Sequence, residues 1–210
     1  MENRKLFIGI DLALRKTGIT CFDSNKELIT FKLNICPLSY KDEDILIYNT
    51  ICIMNFIDLI CNTYTIKDSE LSVFIEGLSF NSLSQQSDLI AANHWCIRTE
   101  IKRKYPNVLL NVMSPQSWKS KLFSKEDKEK IKEYFPVIRA KRGMKLNSYE
   151  QKLNNKQKAK MRVYVKDLII SKVPEDTINK FNDYIKDNKF NKDSLSDLCD
   201  SYNMVYVNIG

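Results

Sequence analysis

Histidine occurs once in the 210 residues, at His94. That argues against a Ser-His-Asp triad or a histidine-led metal site as the organising chemistry. On the apolar face of a helix, His94 reads first as a packed residue. Glycine and proline number five each, too few for a low-complexity or disordered chain. No Gly-rich phosphate loop occurs, so a nucleotide cofactor lacks its usual cradle. The six cysteines, Cys21, Cys36, Cys52, Cys61, Cys96 and Cys199, contain no C-x-x-C pair, and most lie in apolar runs. Buried free thiols in a reducing compartment are expected, ahead of disulfides or zinc. Long uninterrupted apolar runs are also missing. The most hydrophobic window, Ile45 to Cys61, is broken by Asn49, Asn55 and Asp58, so it reads as a buried helix and not a membrane span. The N-terminus has no signal-peptide pattern. A soluble, intracellular protein with no membrane partner is the expectation.

What is present is positive charge. The net charge is +7 and the pI about 9.0, which favours a polyanionic partner. Abundant Lys, Asn and Ile fit AT-rich coding and hint at a viral or phage source. The charge is concentrated. Residues 119–160 hold fourteen Lys and Arg against five Asp and Glu, leaving about −2 for the rest of the chain. Gly143 and Pro136 interrupt this stretch and no strong apolar period runs through it. It reads as a basic, partly helical arm inserted at about 119–155 in a single domain, with a solvated surface loop as the plainer alternative. Phosphate contacts through such an arm weaken steeply with salt.

Around the arm the pattern is α/β. "KLFIGID", "TGITCFD" and "ELITFKLN" are strand-like runs separated by short polar breaks, an antiparallel meander. A helix is expected from Asp42 to Tyr64, opened by acids that suit its dipole. "LSVFIEG" is a fourth strand, and a second helix is expected from Ser82 to Lys104. "NVLLNVM" is a fifth strand, and Ser114 and Pro115 then start another helix as cap and first residue. "KQKAKMRVYVKDLII" closes the arm, and a last helix begins near Asp193, its expected cap. This order predicts a mixed five-stranded sheet flanked by helices.

Acids stand where a bland sheet would not place them. Asp11 ends the first strand and Glu76 the fourth. Asp197 and Asp200 lie three apart, on one face of the last helix, where like charges repel unless a cation lies between them. Carboxylates gathered this way suit hard divalent cations that promote phosphodiester cleavage.

With these motifs in this order, the chain resembles the RuvC-type Holliday junction resolvases of the ribonuclease H-like superfamily. "GIDLALRKTGIT" resembles the opening motif, "VFIEG" the second, "DLCDSYNMV" the closing Asp-x-x-Asp helix, and "KAKMRVYVKDLI" the basic helix, with Lys158 preceding Met161 and Val165. Leu12-Ala13 replaces the usual Pro-Gly, so the turn after Asp11 must be built differently.

The resemblance implies a ribonuclease H-like sheet of a three-strand meander plus two parallel strands. It also implies a homodimeric, Mg²⁺-dependent endodeoxyribonuclease. That enzyme would resolve four-way DNA junctions by paired symmetric cuts, leaving 5′ phosphate and 3′ hydroxyl. Asp11, Glu76, Asp197 and Asp200 would be catalytic metal ligands for two Mg²⁺, with Mn²⁺ substituting. Lys158 would stabilise the reacting phosphate or merely contact backbone. Arg15, Lys141, Arg142, Lys156, Lys160 and Arg162 would bind DNA, and Phe80 would be either a stacking wedge or a packing residue. Ile90, His94, Ile97 and Ile101 are candidates for a dimer seam, with core packing as the alternative. Rival readings are a same-fold nuclease for flaps or forks and a non-catalytic junction binder.

Overall fold

The computed structural model describes residues 5–78, 87–136, 138, 145 and 147–209. Three strands, β1 (Leu6–Asp11), β2 (Lys16–Asp23) and β3 (Leu28–Ile35), form the antiparallel meander. Strands β4 (Leu71–Glu76) and β5 (Leu109–Met113) run parallel to β1, and the order across the sheet is β3-β2-β1-β4-β5. This is the mixed five-stranded sheet, a three-strand meander plus two parallel strands, that the strand pattern and the resemblance implied.

Alternation along the strands divides the core in two. Leu6, Ile8 and Ile10 of β1, with Leu71, Val73 and Ile75 of β4, face helices α1 (Asp42–Tyr64) and α2 (Ser87–Lys104). Phe7 and Phe74 face the other side, where α5 (Ser148–Ile170), α6 (Glu175–Asp187) and α7 (Ser194–Tyr206) pack. Helix α1 is long and apolar enough to cross a membrane by composition. It lays Ile53, Ile57 and Ile60 against the sheet, as the broken apolar run suggested.

Two glycines seat α7. A Cβ on Gly9 would collide with the carbonyl oxygen of Ser201, and one on Gly18 with that of Asp197. The bare strand surface lets the helix backbone lie almost on the sheet. Gly18→Ala is therefore expected to cost about 2 kcal/mol or more through overpacking. Thermal unfolding would show it as a lowered Tm; an unchanged Tm would contradict this seating.

The basic segment is helical where described: α3 (Pro115–Leu122), α4 (Lys125–Tyr134) and then α5. Helix α5 begins at Ser148, eight residues before the expected "KQKAK" start, because Asn147 and Glu150 form a capping box. Ser114 caps α3 as expected, its side chain accepting from the Ser117 amide at 3.1 Å. Helix α6 has no counterpart in the sequence reading.

All six cysteines are free; Cys21, Cys36, Cys61 and Cys199 are buried, whereas Cys96 is exposed.

Candidate active site

Strand register makes the first contact of the site. Ile10 pairs with Ile75 across parallel β1 and β4, so Asp11 and Glu76 end neighbouring strands. They share the parity of Phe7 and Phe74, which places both carboxyl groups on the α7 side. Helix α7, held close by Gly9 and Gly18, brings Asp200 over them. One carboxylate oxygen from each of Asp11, Glu76 and Asp200 lies within 4.8 Å of the others. Asp197 lies outside this trio, yet its charge still acts on both Asp11 and Asp200.

The electrostatics show how unfavourable the cluster is alone. Burial, then the charges of Asp200, Glu76 and Asp197, push the Asp11 carboxyl well above the usual carboxylate range. The Glu76 side chain adds further to the same upward push. Burial pushes Asp200 up to about 7, with Glu76 and Asp197 adding to it against the opposing pull of Lys119 and Lys166. Burial pushes Asp197 up to about 6, opposed by Lys16 and Lys166. The cluster thus resists ionising until something cationic enters it.

The donors fit a hard divalent ion. All are carboxylate oxygens, the choice of Mg²⁺ or Mn²⁺, and the buried Oδ1 of Asp200 has no hydrogen-bond partner among the described residues. Oxygens around Mg²⁺ stand roughly 3–4 Å apart, given bonds of about 2.0–2.1 Å. Closing the trio onto an ion asks for side-chain adjustments of about an ångström.

Cations border the acids on one side. Lys119 of α3 sits 4.0 Å from Glu76 Oε1, and its ammonium lies 4.7 Å from the ring of Trp118. Lys166 of α5 pairs with Asp193 at 3.5 Å. Lys119, Arg162, Lys166, Ser196 and Asp200 line a common cleft of about 280 Å³. Asp193 makes no side-chain cap to α7, so the expected cap is instead the anchor of Lys166.

Lys119 and Lys166 were missed in the sequence. Lys119 was legible in principle, since it lies one turn beyond a capped helix start at the carboxyl end of a parallel strand, where ligands gather in open α/β sheets. Lys166 lies eight residues after Lys158, about 12 Å along the helix. Lys158 itself is exposed, and the structure does not bring it into the acidic cluster. Lys156 and Lys160 are also exposed on α5, while Arg162 reaches the cleft. Phe80, Lys141 and Arg142 lie outside the described residues.

One expectation needs correction, and one pair of alternatives is decided. Arg15 donates to the carbonyls of Pro37 at 2.7 Å and Tyr40 at 2.9 Å, so its fork ties down the β3–α1 connection instead of standing open to phosphate. Ile97 and Ile101 are both 0% exposed within the chain, and His94 is 4% exposed. Ile90 packs with Leu14, Cys36 and Ile45. Ile97, Ile101 and His94 thus belong to the core that covers the sheet, the alternative reading of this stripe, while Ile90 is half-buried. The outward face carries Trp95, 61% exposed, with Arg98 stacked at 4.6 Å from its ring. Grooves of about 580 and 520 Å³ beside Trp95 share no residue with the acids.

The turn without Pro-Gly is built from buried leucines and hydrogen bonds. Leu12 and Leu14 are each 8% exposed, Thr17 donates its hydroxyl to the Ala13 carbonyl at 3.1 Å, and Asn49 donates to the Leu14 carbonyl at 3.1 Å. Asn49 also bonds Asn34 and Asn93, which locks the end of β1 to both α1 and α2.

No family model matches the chain, and no curated protein matches it. Among solved structures, the chain is similar to Thermus thermophilus RuvC in complex with a Holliday junction substrate. That match has 11% identity over 75% of this chain and 96% of that one, with a TM-score of 0.44. A second T. thermophilus RuvC structure matches at 9% identity over 76% and 96%, with a TM-score of 0.43. The fold assignment rests on strand order and register, and the site on its own geometry.

Proposed function

We propose that the chain is a divalent-metal-dependent endodeoxyribonuclease for branched DNA, with four-way junctions as its substrate. The observation that carries this reading is the convergence of Asp11, Glu76 and Asp200 from three separate elements to within 4.8 Å, bordered by a cleft lined with Lys119, Arg162 and Lys166. Acids alone would repel a phosphodiester. A mere DNA binder gains nothing from them.

Asp11, Glu76 and Asp200 hold the metal, with Asp197 adding negative charge from the next turn. When bound there, Mg²⁺ or Mn²⁺ would supply Lewis acidity toward the phosphate and the attacking water. Lys119, Arg162 and Lys166 hold the phosphate oxygens and keep the strand against the acids as charge develops. Asp193 restrains Lys166, so the cation is positioned before substrate arrives. The exposed Lys156, Lys158 and Lys160 extend the same positive face along α5 and track the backbone outward. Paired symmetric cuts require two copies of the chain related by a two-fold axis. Ile97 and Ile101 do not supply that contact.

Purified protein, Mg²⁺ and end-labelled four-way, fork, flap and duplex DNA test the reading. Symmetric nicking of the four-way junction, absent with EDTA, is expected. Preferred cutting of flaps or forks would move the substrate, and binding without any product would remove the enzyme.

A further inference from the structure

The sheet has two edges, and they are finished differently. At one edge β3 carries Lys32, and its Phe31 packs against Phe181 and Tyr184 of α6. Strand β5 forms the other edge, and among the described residues no strand pairs with its outer side. The Met113 carbonyl accepts from the Gly77 amide at 2.6 Å, so it points toward β4. Alternation along the strand then turns the amides and carbonyls of Leu110 and Val112 outward. The usual protections of an open edge are missing from β5. Its sequence, LLNVM, has no Pro, charge or bulge, and Leu109 is 59% and Val112 42% exposed.

A hollow lies against each face of this edge. On the α2 side, Leu110 and Val112 border a groove of about 580 Å³ with Trp95, Arg98, Lys102 and Arg103. On the α3 side, Leu109, Asn111 and Met113 border one of about 430 Å³ with Ser117 and Lys121. A strand added along β5 would send alternate side chains into the two. Among the described residues, cations line both hollows and no acid does. Some of these cations are engaged: Arg103 pairs with Glu100, and Lys102 donates to the Val108 carbonyl at 2.7 Å. Arg98 makes no ion pair among the described residues, and its guanidinium stacks on Trp95 at 4.6 Å. The α2 side therefore suits a carboxylate, and the α3 side an apolar chain.

We propose that the open edge of β5 receives an extended segment of a partner protein, acidic on its α2 side and apolar on its α3 side. Strand addition draws affinity from main-chain hydrogen bonds and specificity from pockets for alternate side chains, and this edge offers both. Two other occupants fit less well. Nucleic acid would set its phosphates against the outward carbonyls of Leu110 and Val112 and against their aliphatic side chains. A second copy pairing antiparallel about a two-fold would bring Arg98, Lys102 and Arg103 toward their own counterparts, where like charges repel. The surface shares no residue with the acidic trio, so the partner is independent of the nuclease reading.

Fluorescein-labelled seven-residue peptides, one alternating Glu and Val and one alternating Lys and Val, are titrated with the full chain by fluorescence anisotropy. The Glu peptide should bind about tenfold or more tightly than the Lys peptide, and Arg98→Glu should weaken it about tenfold. Methylating every second peptide amide separates strand addition from plain charge attraction. Methylation in one phase should abolish binding, and in the other phase leave it. Val112→Pro removes an outward amide, a change that edge strands tolerate. It should abolish peptide binding while near-UV circular dichroism shows the fold intact.

Amide hydrogen exchange locates the contact on wild type. With saturating Glu peptide, the amides of Leu110 and Val112 should exchange about tenfold or more slowly. No binding of the Glu peptide, equal binding of both methylation phases, or no added protection at Leu110 and Val112 would overturn the proposal. So would single-stranded oligothymidylate displacing the peptide, which would give the groove to nucleic acid. A dimer in sedimentation that Val112→Pro dissolves would give the edge to a second copy, and overturn it too. Failure of wild type to cut any junction would count against the nuclease reading alone.

Discussion

Asp11→Asn should abolish cleavage while making the metal-free protein more stable. Few substitutions at a functional residue are expected to do both. Asp11 is held beside Glu76 and Asp200 in a place where burial and like charge oppose its ionisation. Asparagine keeps the shape and removes the charge. Its amide can donate to Glu76 without adding charge to the cluster. Relief of about 1–2 kcal/mol is a conservative figure for such a change. For a chain of this size that corresponds to a Tm higher by about 2–8 °C. Cleavage should fall on the order of 10³-fold, since one ligand of the ion that stabilises charge is gone. Differential scanning fluorimetry with EDTA and a junction-cleavage time course measure the two halves. A lower Tm together with undiminished cutting would place Asp11 outside the chemistry.

The second large effect concerns pH. Asp200 has a folded pKa of about 7 against an ordinary value of 3.8. Below pH 4 it is protonated folded or unfolded, and it contributes no difference. As pH rises from 4 toward 7, the unfolded chain releases the proton and the folded one retains it. Stability therefore falls across that window, and stays low above pH 7. Asp197, raised to about 6, acts in the same direction.

His94 opposes them. Its pKa is lowered from 6.5 to about 4, so its contribution is present above pH 6.5 and lost as pH falls toward 4. A difference measurement removes this overlap. Asp200→Asn should be more stable than wild type without metal, and its advantage should grow by about 2 kcal/mol between pH 5 and pH 8. Saturating Mg²⁺ should reduce the advantage at pH 8, because it binds the ionised cluster of wild type. Urea titrations at both pH values, with and without Mg²⁺, give the numbers. An advantage that does not grow with pH would contradict the account of the cluster.

Most of the acidic site could be read before any coordinates, for a physical reason. Strand ends are fixed by where apolar alternation stops, so Asp11 and Glu76 were visible as charges closing apolar runs. Helix periodicity placed Asp197 and Asp200 on one face, although the trio selects Asp200 and leaves Asp197 a turn away. The cations were harder. Lys158 drew attention by its register in "KAKMRVYV", but which part of a helix meets a neighbouring element is set by packing, and α5 presents Arg162 and Lys166 instead. The apolar stripe of α2 left two destinations open, a dimer seam or the core, and Ile97 and Ile101 cover the sheet of their own chain. A stripe on a helix records burial without saying what buries it. Arg15 and Asp193 illustrate the same limit for charge, since each is satisfied by a partner far away in the chain or outside its own helix.

The most direct measurement is anomalous diffraction from a crystal soaked in Mn²⁺. A peak is expected among the carboxylates of Asp11, Glu76 and Asp200, at about the 2.0–2.2 Å bonding distance of small hard cations. Full Mn²⁺ sites elsewhere on the molecule, with nothing between these three side chains, would contradict the account.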